Sequence, residues 1–414
     1  MVRCVLYRLA ACSPWRILVL RVGRCALHWF RGLSVLKVDV AGIKRIASKP
    51  STSIEVRSDM PLGQVIDLVS KVHVESGLPD PMMALDDAAN VFLVGGPDLT
   101  PAGVVFDIDP ESYHDFETTL RAWAATLDRA GLRGAIGPFR YDHPPFHFVK
   151  ASTPTPNLVA AMVLRRDDDL ELGGTAWQVP DDVRRQFLSH AQDWGREGGD
   201  TVHVSHGLKA SRLESTAQIA DFVAGALSIA PPVSVHWSHS DGFRTMGWDH
   251  AGHAWLQVAD RRPWFERLAE LETFIEAHAD HLTYACVSLC STDHLTWTRT
   301  LGANIFAAQS SHLNSSTYLS DMTAADEVRW VPGAYGSQLL GHGHLSAAHD
   351  LSQWTHVPVG DMTWVRAATP ADWFADVPDR EVVTAARVDF GEVIQTEEQY
   401  LAAWQARRDG NGKA

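Results

Sequence analysis

Gln64-Val65-Ile66-Asp67-Leu68-Val69 and Gln218-Ile219-Ala220-Asp221-Phe222-Val223 are two versions of one hexapeptide, 154 residues apart, each in an apolar pattern of helical spacing. Such a match governs how the rest of the chain is read, because a repeated unit buries its apolar faces against its own copy. Short extended runs follow both versions: residues 90–94 and 104–108 after the first, 234–238 and 254–258 after the second. Then come two helices with the same apolar stripe, Phe116-Leu120-Trp123-Leu127 and Trp264-Leu268-Leu271-Ile275, and behind each a strand, residues 135–139 and 284–289. The order continues through Asp142-His143 with Asp293-His294, Trp177 with Trp330, Gln186 to His190 with Gln338 to His342, and His203-Val204 with His356-Val357. The expected fold is α+β: two tandem diverged repeats of mixed or antiparallel sheet with packed helices, related by a pseudo-twofold axis. The repeats span 60–207 and 208–360, and 361–414 adds a strand and a helix that complete the second. Asp109-Pro110 opens one helix, and Ser215 with Gln218 and Thr396 with Gln399 have capping-box spacing at two others.

With 45% apolar residues in 414, the chain is long enough for one large core or two ordinary ones. Net charge is −14, and it is unevenly placed: residues 1–59 hold eleven Lys or Arg against three Asp or Glu, which leaves the remainder at −22. An acidic body without a basic stripe argues against nucleic-acid binding. The apolar run Ile17 to Leu20 is closed in by Arg16 and Arg21, too short for a secretory signal or a membrane span. Residues 1–59 therefore read as a basic, poorly ordered extension. Five cysteines without a pairing framework point to a reducing, cytoplasmic compartment.

Twenty histidines raise the question of metal. His203 and His206, like His236 and His239, are three apart within strands, so each pair points to opposite faces. His250 and His253 share a turn without an acidic ligand at a useful spacing. Asp107 and Asp109 end a strand on one side, an arrangement able to hold a divalent ion. Gly341-His342-Gly343-His344 with His349-Asp350 resembles the His-rich loop of metallo-hydrolases, so His342, His344, His349 and Asp350 are the candidate metal ligands, although the spacing departs from the compact H-x-H-x-D-H run. Asp142-His143 and Asp293-His294 are the candidate catalytic pairs, since an adjacent carboxylate orients an imidazole and raises its basicity. Glycine-rich nucleotide loops, G-x-S-x-G, C-x-x-C and H-E-x-x-H are all missing, and no cofactor is expected.

The last third, Trp330-Val331-Pro332-Gly333-Ala334-Tyr335-Gly336 to Leu340, a helix near His344 to Leu351, and Met362 to Ala368, resembles a group of uncharacterised bacterial α+β proteins that includes immunity proteins of polymorphic toxin systems. The resemblance implies a cytoplasmic, non-enzymatic module that binds and neutralises a toxin, with a protein as partner. Fifteen tryptophans suit a recognition face. The alternative is a His- and Asp-dependent metalloenzyme of the hydrolase class.

Overall fold

The structure, a computed structural model, describes residues 36–46, 52–75, 93–108, 116–140, 157–165, 179–206, 209–213, 218–227, 233–240, 242–248, 252–290, 328–376 and 378–396, with 398, 399, 402 and 405. It is a mixed α+β fold with two open sheets and nine α-helices among these residues. The chain divides into two compact units, Met1–Gly96 with Ala102–Phe139, and Pro97–Pro101 with Arg140–Ala414.

The first unit is built on a five-stranded sheet. Its elements are β1 (Lys37–Val38), α1 (Val40–Ile46), β2 (Thr52–Arg57), α2 (Leu62–Glu75), β3 (Leu93–Thr100, of which residues 97–100 fall in the second unit), β4 (Gly103–Ile108), α3 (Phe116–Arg129) and β5 (Ala135–Pro138), with strand order β1-β5-β2-β4-β3. β2 pairs antiparallel with both β4 and β5, and five of its six residues are buried. On α3 the expected stripe faces inward: Leu120 and Leu127 are fully buried and Trp123 nearly so. The stretch read as an extension thus supplies β1, α1 and the central strand β2. Thr52-Ser53-Ile54-Glu55-Val56-Arg57 alternates polar with β-branched residues, a strand signal that the basic charge upstream masks.

The second unit carries a ten-stranded sheet, formed by β6 (Asn157–Leu164), β7 (Thr201–His206), β8 (Lys209–Arg212), β9 (Val233–His239), β10 (Gly242–Trp248), β11 (His253–Ala259), β12 (Leu282–Cys290), β13 (Ser337–Gly341), β14 (Thr355–Val359) and β15 (Met362–Arg366). The order is β14-β15-β13-β12-β6-β11-β10-β9-β7-β8. All eight residues of β6 are buried, and it pairs antiparallel with β11 on one side and β12 on the other. The helices are α4 (Asp181–Arg196), α5 (Ile219–Leu227), α6 (Trp264–Glu276), α7 (His342–Ala347), α8 (Ala371–Phe374) and α9 (Arg380–Phe390). α4 and α6 lie on the sheet face that carries Trp237, Met246 and Trp248: the Phe187 ring meets Trp248 edge-on at 4.8 Å and Phe274 at 5.4 Å. Gly195 permits the close approach, because a Cβ there would lie 2.5 Å from the Trp237 ring. β14 and β15 form an edge hairpin closed by the two residues Gly360-Asp361, with Gly360 at φ +56°. Thr396 and Gln399 exchange side-chain hydrogen bonds to each other's backbone N–H at 2.8 and 3.2 Å, the capping box that their spacing predicts.

The order β5-β2-β4-β3 recurs in the larger sheet as β12-β6-β11-β10, with α3 joining β4 to β5 and α6 joining β11 to β12. The tandem repeat and its pseudo-twofold are nevertheless not confirmed. Sequence pairs α2 with α5, but β6, not β8 before α5, stands where β2 stands, and β6, α4 and β7, placed in 60–207, belong with the second unit. Apolar stripes on helices resemble one another whatever strand precedes them, so a helix match does not fix the strand order.

Replacing Gly195 with Ala sets helix propensity, a gain of up to about 1 kcal/mol, against overpacking of a rigid indole, a loss of about 1–3 kcal/mol. Overpacking is expected to win: the urea midpoint of Gly195→Ala falls while the slope stays unchanged.

Candidate functional site

β11 ends in Asp260-Arg261-Arg262-Pro263, and α6 begins at Trp264. Proline disfavours a helical residue before it, so the chain bends through residues 260–262 and enters α6 only after Pro263. Asp260 braces the turn by accepting the Arg262 backbone N–H at 2.9 Å, while its Oδ2 takes the Arg262 guanidinium through Nε at 2.8 Å and Nη2 at 2.6 Å. From here a chain of alternating charge runs inward. Arg262 also meets Glu270 of α6 at 2.7 Å, Glu270 meets Arg244 of β10 at 3.0 Å, and Arg244 meets Glu197 beyond α4 at 2.7 Å. Arg244 donates to the Trp194 carbonyl and lies over the Trp194 ring, 5.1 Å from its centroid; the Trp194 indole N–H donates to Glu270. Gly198 makes room, since a Cβ there would sit 2.8 Å from the Arg244 Cβ.

Burial alone would raise the Asp260 carboxyl, but its bonds to Arg262 hold it below the ordinary carboxylate range. For Arg262 burial works against the charge, and the carboxylates of Asp260 and Glu270 more than offset it. Arg267, within the first turn of α6, is buried, and that burial lowers its pKa. Glu197, Arg244, Asp260 and Arg262 line an open cleft of about 520 Å³ with Gly198, Phe243 and Arg261. On α6, Phe265 is 55% exposed, one of three exposed large apolar residues with Val328 and Val388 among the described residues. Its ring meets Trp264 edge-on at 5.8 Å, and Trp264 stacks on Phe374 of α8 at 6.1 Å. The knuckle, residues 260–265, thus joins a turn fixed by hydrogen bonds and ion pairs to an exposed aromatic at the start of α6.

The sequence candidates lie elsewhere. Asp142, His143, Asp293, His294, Asp109 and His250 fall outside the described residues. His342 and His349 are exposed and Asp350 faces solvent, its carboxyl held below the usual range by hydrogen bonds from Ser352. His344 is buried, and its Nδ1 accepts the Gly341 N–H at 3.3 Å. Two residues apart on α7, His342 and His344 project in different directions and are not brought together. Among the described residues no three His, Cys, Asp or Glu side chains gather as they would around a metal ion. Asp107 accepts a hydrogen bond from Ser53 at 2.5 Å.

His203 and His206 do point apart. His206 accepts the Leu99 N–H at Nδ1 (3.0 Å) and donates from Nε2 to the Ala226 carbonyl (2.9 Å), so Asp98, 3.5 Å from Nδ1, makes no ion pair in this tautomer. His203 instead faces His236 across β7 and β9, with ring centroids 6.4 Å apart. Register carries this polar row onward through Thr245 and Gln257 and, past Val159, to Ser288, all buried. Gln257 Nε2 and Ser288 Oγ have no hydrogen-bond partner among the described residues. Histidine spacing along a strand does not reveal this row, which forms only across strands.

Among the described residues no helix is long and apolar enough to cross a membrane. No family model matches the chain, and comparison with curated proteins and with solved structures gives no match either.

The ion-pair chain predicts a ranking by burial. Glu270→Gln removes a carboxylate whose side chain is 17% exposed and which serves two guanidiniums, so about 2 kcal/mol of stability is expected to go. Glu197→Gln acts on a side chain 71% exposed and is expected to cost under about 1 kcal/mol. Urea denaturation of the two variants measures the order.

Proposed function

We propose that the chain is a protein-binding module, of the toxin-neutralising immunity kind that its last third resembles, and that it meets its partner through the β11–α6 knuckle. The observation that carries this reading is Phe265, exposed in the first turn of α6 and three residues after Arg262, whose turn Asp260 and Glu270 brace. Arginine and aromatic residues supply a large share of binding energy at protein interfaces, and a surface already fixed in its bound shape loses little entropy on docking. An acidic body of −22 beyond residue 59 fits a protein better than a nucleic acid. The reading places the module in the cytoplasm. It also takes the recurring four-strand order as the trace of an old duplication, which partly overlapping halves with the same strand order would leave.

The test is binding between the full chain and the products of the reading frames that flank its gene, measured with purified proteins. Phe265→Ala and Arg262→Glu are each expected to weaken such a complex at least tenfold, about 1.4 kcal/mol, while Val388→Ala, at another exposed apolar site, leaves it unchanged. A flanking product bound equally by all four proteins removes the knuckle from the interface, and failure of every flanking product to bind overturns the immunity reading.

A further inference from the structure

Where α4 faces α6 and the turn just after it, two imidazoles touch: His190 Nδ1 lies 2.9 Å from His278 Nε2. His190 stacks on Phe274 with centroids 4.3 Å apart, and His278 lies 5.0 Å from both Phe187 and Phe274. The other titratable groups acting on the pair are Asp193 on α4 and His281 on the 3-10 turn Ala279–His281. Only 1% of His278 is exposed, and its Nδ1 has no hydrogen-bond partner among the described residues.

We propose that the His190–His278 contact is a pH-sensitive latch, which closes α4 on α6 while at most one proton is shared between the rings and opens when the pair takes up more. With a single N–H in the gap, one ring donates and the other accepts. With His278 Nε2–H donating to His190 Nδ1, a further proton either makes both facing nitrogens donors or sits on the enclosed Nδ1 of His278, where it finds no acceptor. Either outcome is costly in a wall of phenyl rings. Burial accordingly lowers both imidazoles, His278 to about 4, with the nearby His190 and His281 adding to the effect. The sign follows: the folded pair binds protons less readily than the unfolded chain. The latch therefore contributes fully above about pH 6.5 and is lost progressively as the pH falls towards 4. One turn beyond His190, Trp194 holds Glu270, so opening reaches the ion-pair chain of the cleft.

Imidazole ¹⁵N spectra and thermal midpoints of the intact protein between pH 7.5 and 5.0 test this independently of any partner. In wild type the His278 ring is expected to remain neutral at pH 6.0, where an ordinary imidazole is roughly three-quarters protonated. The midpoint should fall over this range by roughly 5 °C more than in His278→Asn, or in His190→Asn if the first variant does not fold. Titration of both rings near pH 6.5 in wild type, or an undiminished pH loss in a folded variant, overturns the latch. So does one equivalent of Zn²⁺ raising the wild-type midpoint but not that of the variant, which would make the pair a metal site.

Discussion

The backbone of residues 157–164 hydrogen-bonds along one edge to β11 and along the other to β12, with every side chain buried. A strand in this position has no solvent-facing register to slip into, because a shift by one residue would exchange Leu158, Ala160, Met162 and Leu164 for their neighbours on the opposite face. β6 therefore sets the register of both of its neighbours, which arrive from separate parts of the chain. Through β11 it fixes β10, β9 and β7, and through β12 it fixes β13, β15 and β14. Both the Asp260–Phe265 knuckle, at the end of β11, and the polar row of His203, His236, Thr245 and Gln257 inherit their geometry from that strand.

Over this sheet the helical layer makes two kinds of contact with different energetics. Along its middle Phe187, Phe274 and Trp248 contribute close-packed aromatic surface, which is insensitive to salt. At one end the carboxylate of Glu270 binds two guanidiniums and the Trp194 indole at once. A largely buried carboxylate with several donors resists the desolvation that makes isolated buried charges unfavourable. The ion-pair chain thereby ties the turn that displays Phe265 to the core and keeps it from acting as a loose loop.

Much of the helical content was legible in the sequence because an apolar stripe is local: Leu120, Trp123 and Leu127, and Leu268, Leu271 and Ile275, are buried as their spacing requires. Strand β6 was not. Asn157-Leu158-Val159-Ala160-Ala161-Met162-Val163-Leu164 shows no alternation, since a strand buried on both faces has no reason to alternate, and its partners lie about a hundred residues downstream. The site was half legible. Phe265 falls off the Trp264-Leu268-Leu271 stripe, and an aromatic on the wrong side of an amphipathic helix signals exposure. The carboxylates that brace Arg262 and Arg244 come from α6 and from beyond α4, and only the fold brings them together.

At the outer margin of the larger sheet, the two-residue turn after Val359 makes Val359 and Met362 a hydrogen-bonded pair. Alternation along the hairpin then turns the backbone nitrogen of Pro358 outward. A proline there costs the hairpin nothing, yet it deletes a donor that any visiting strand would need. That margin is thus a poorer template for an added strand. A partner gains little by extending the sheet there.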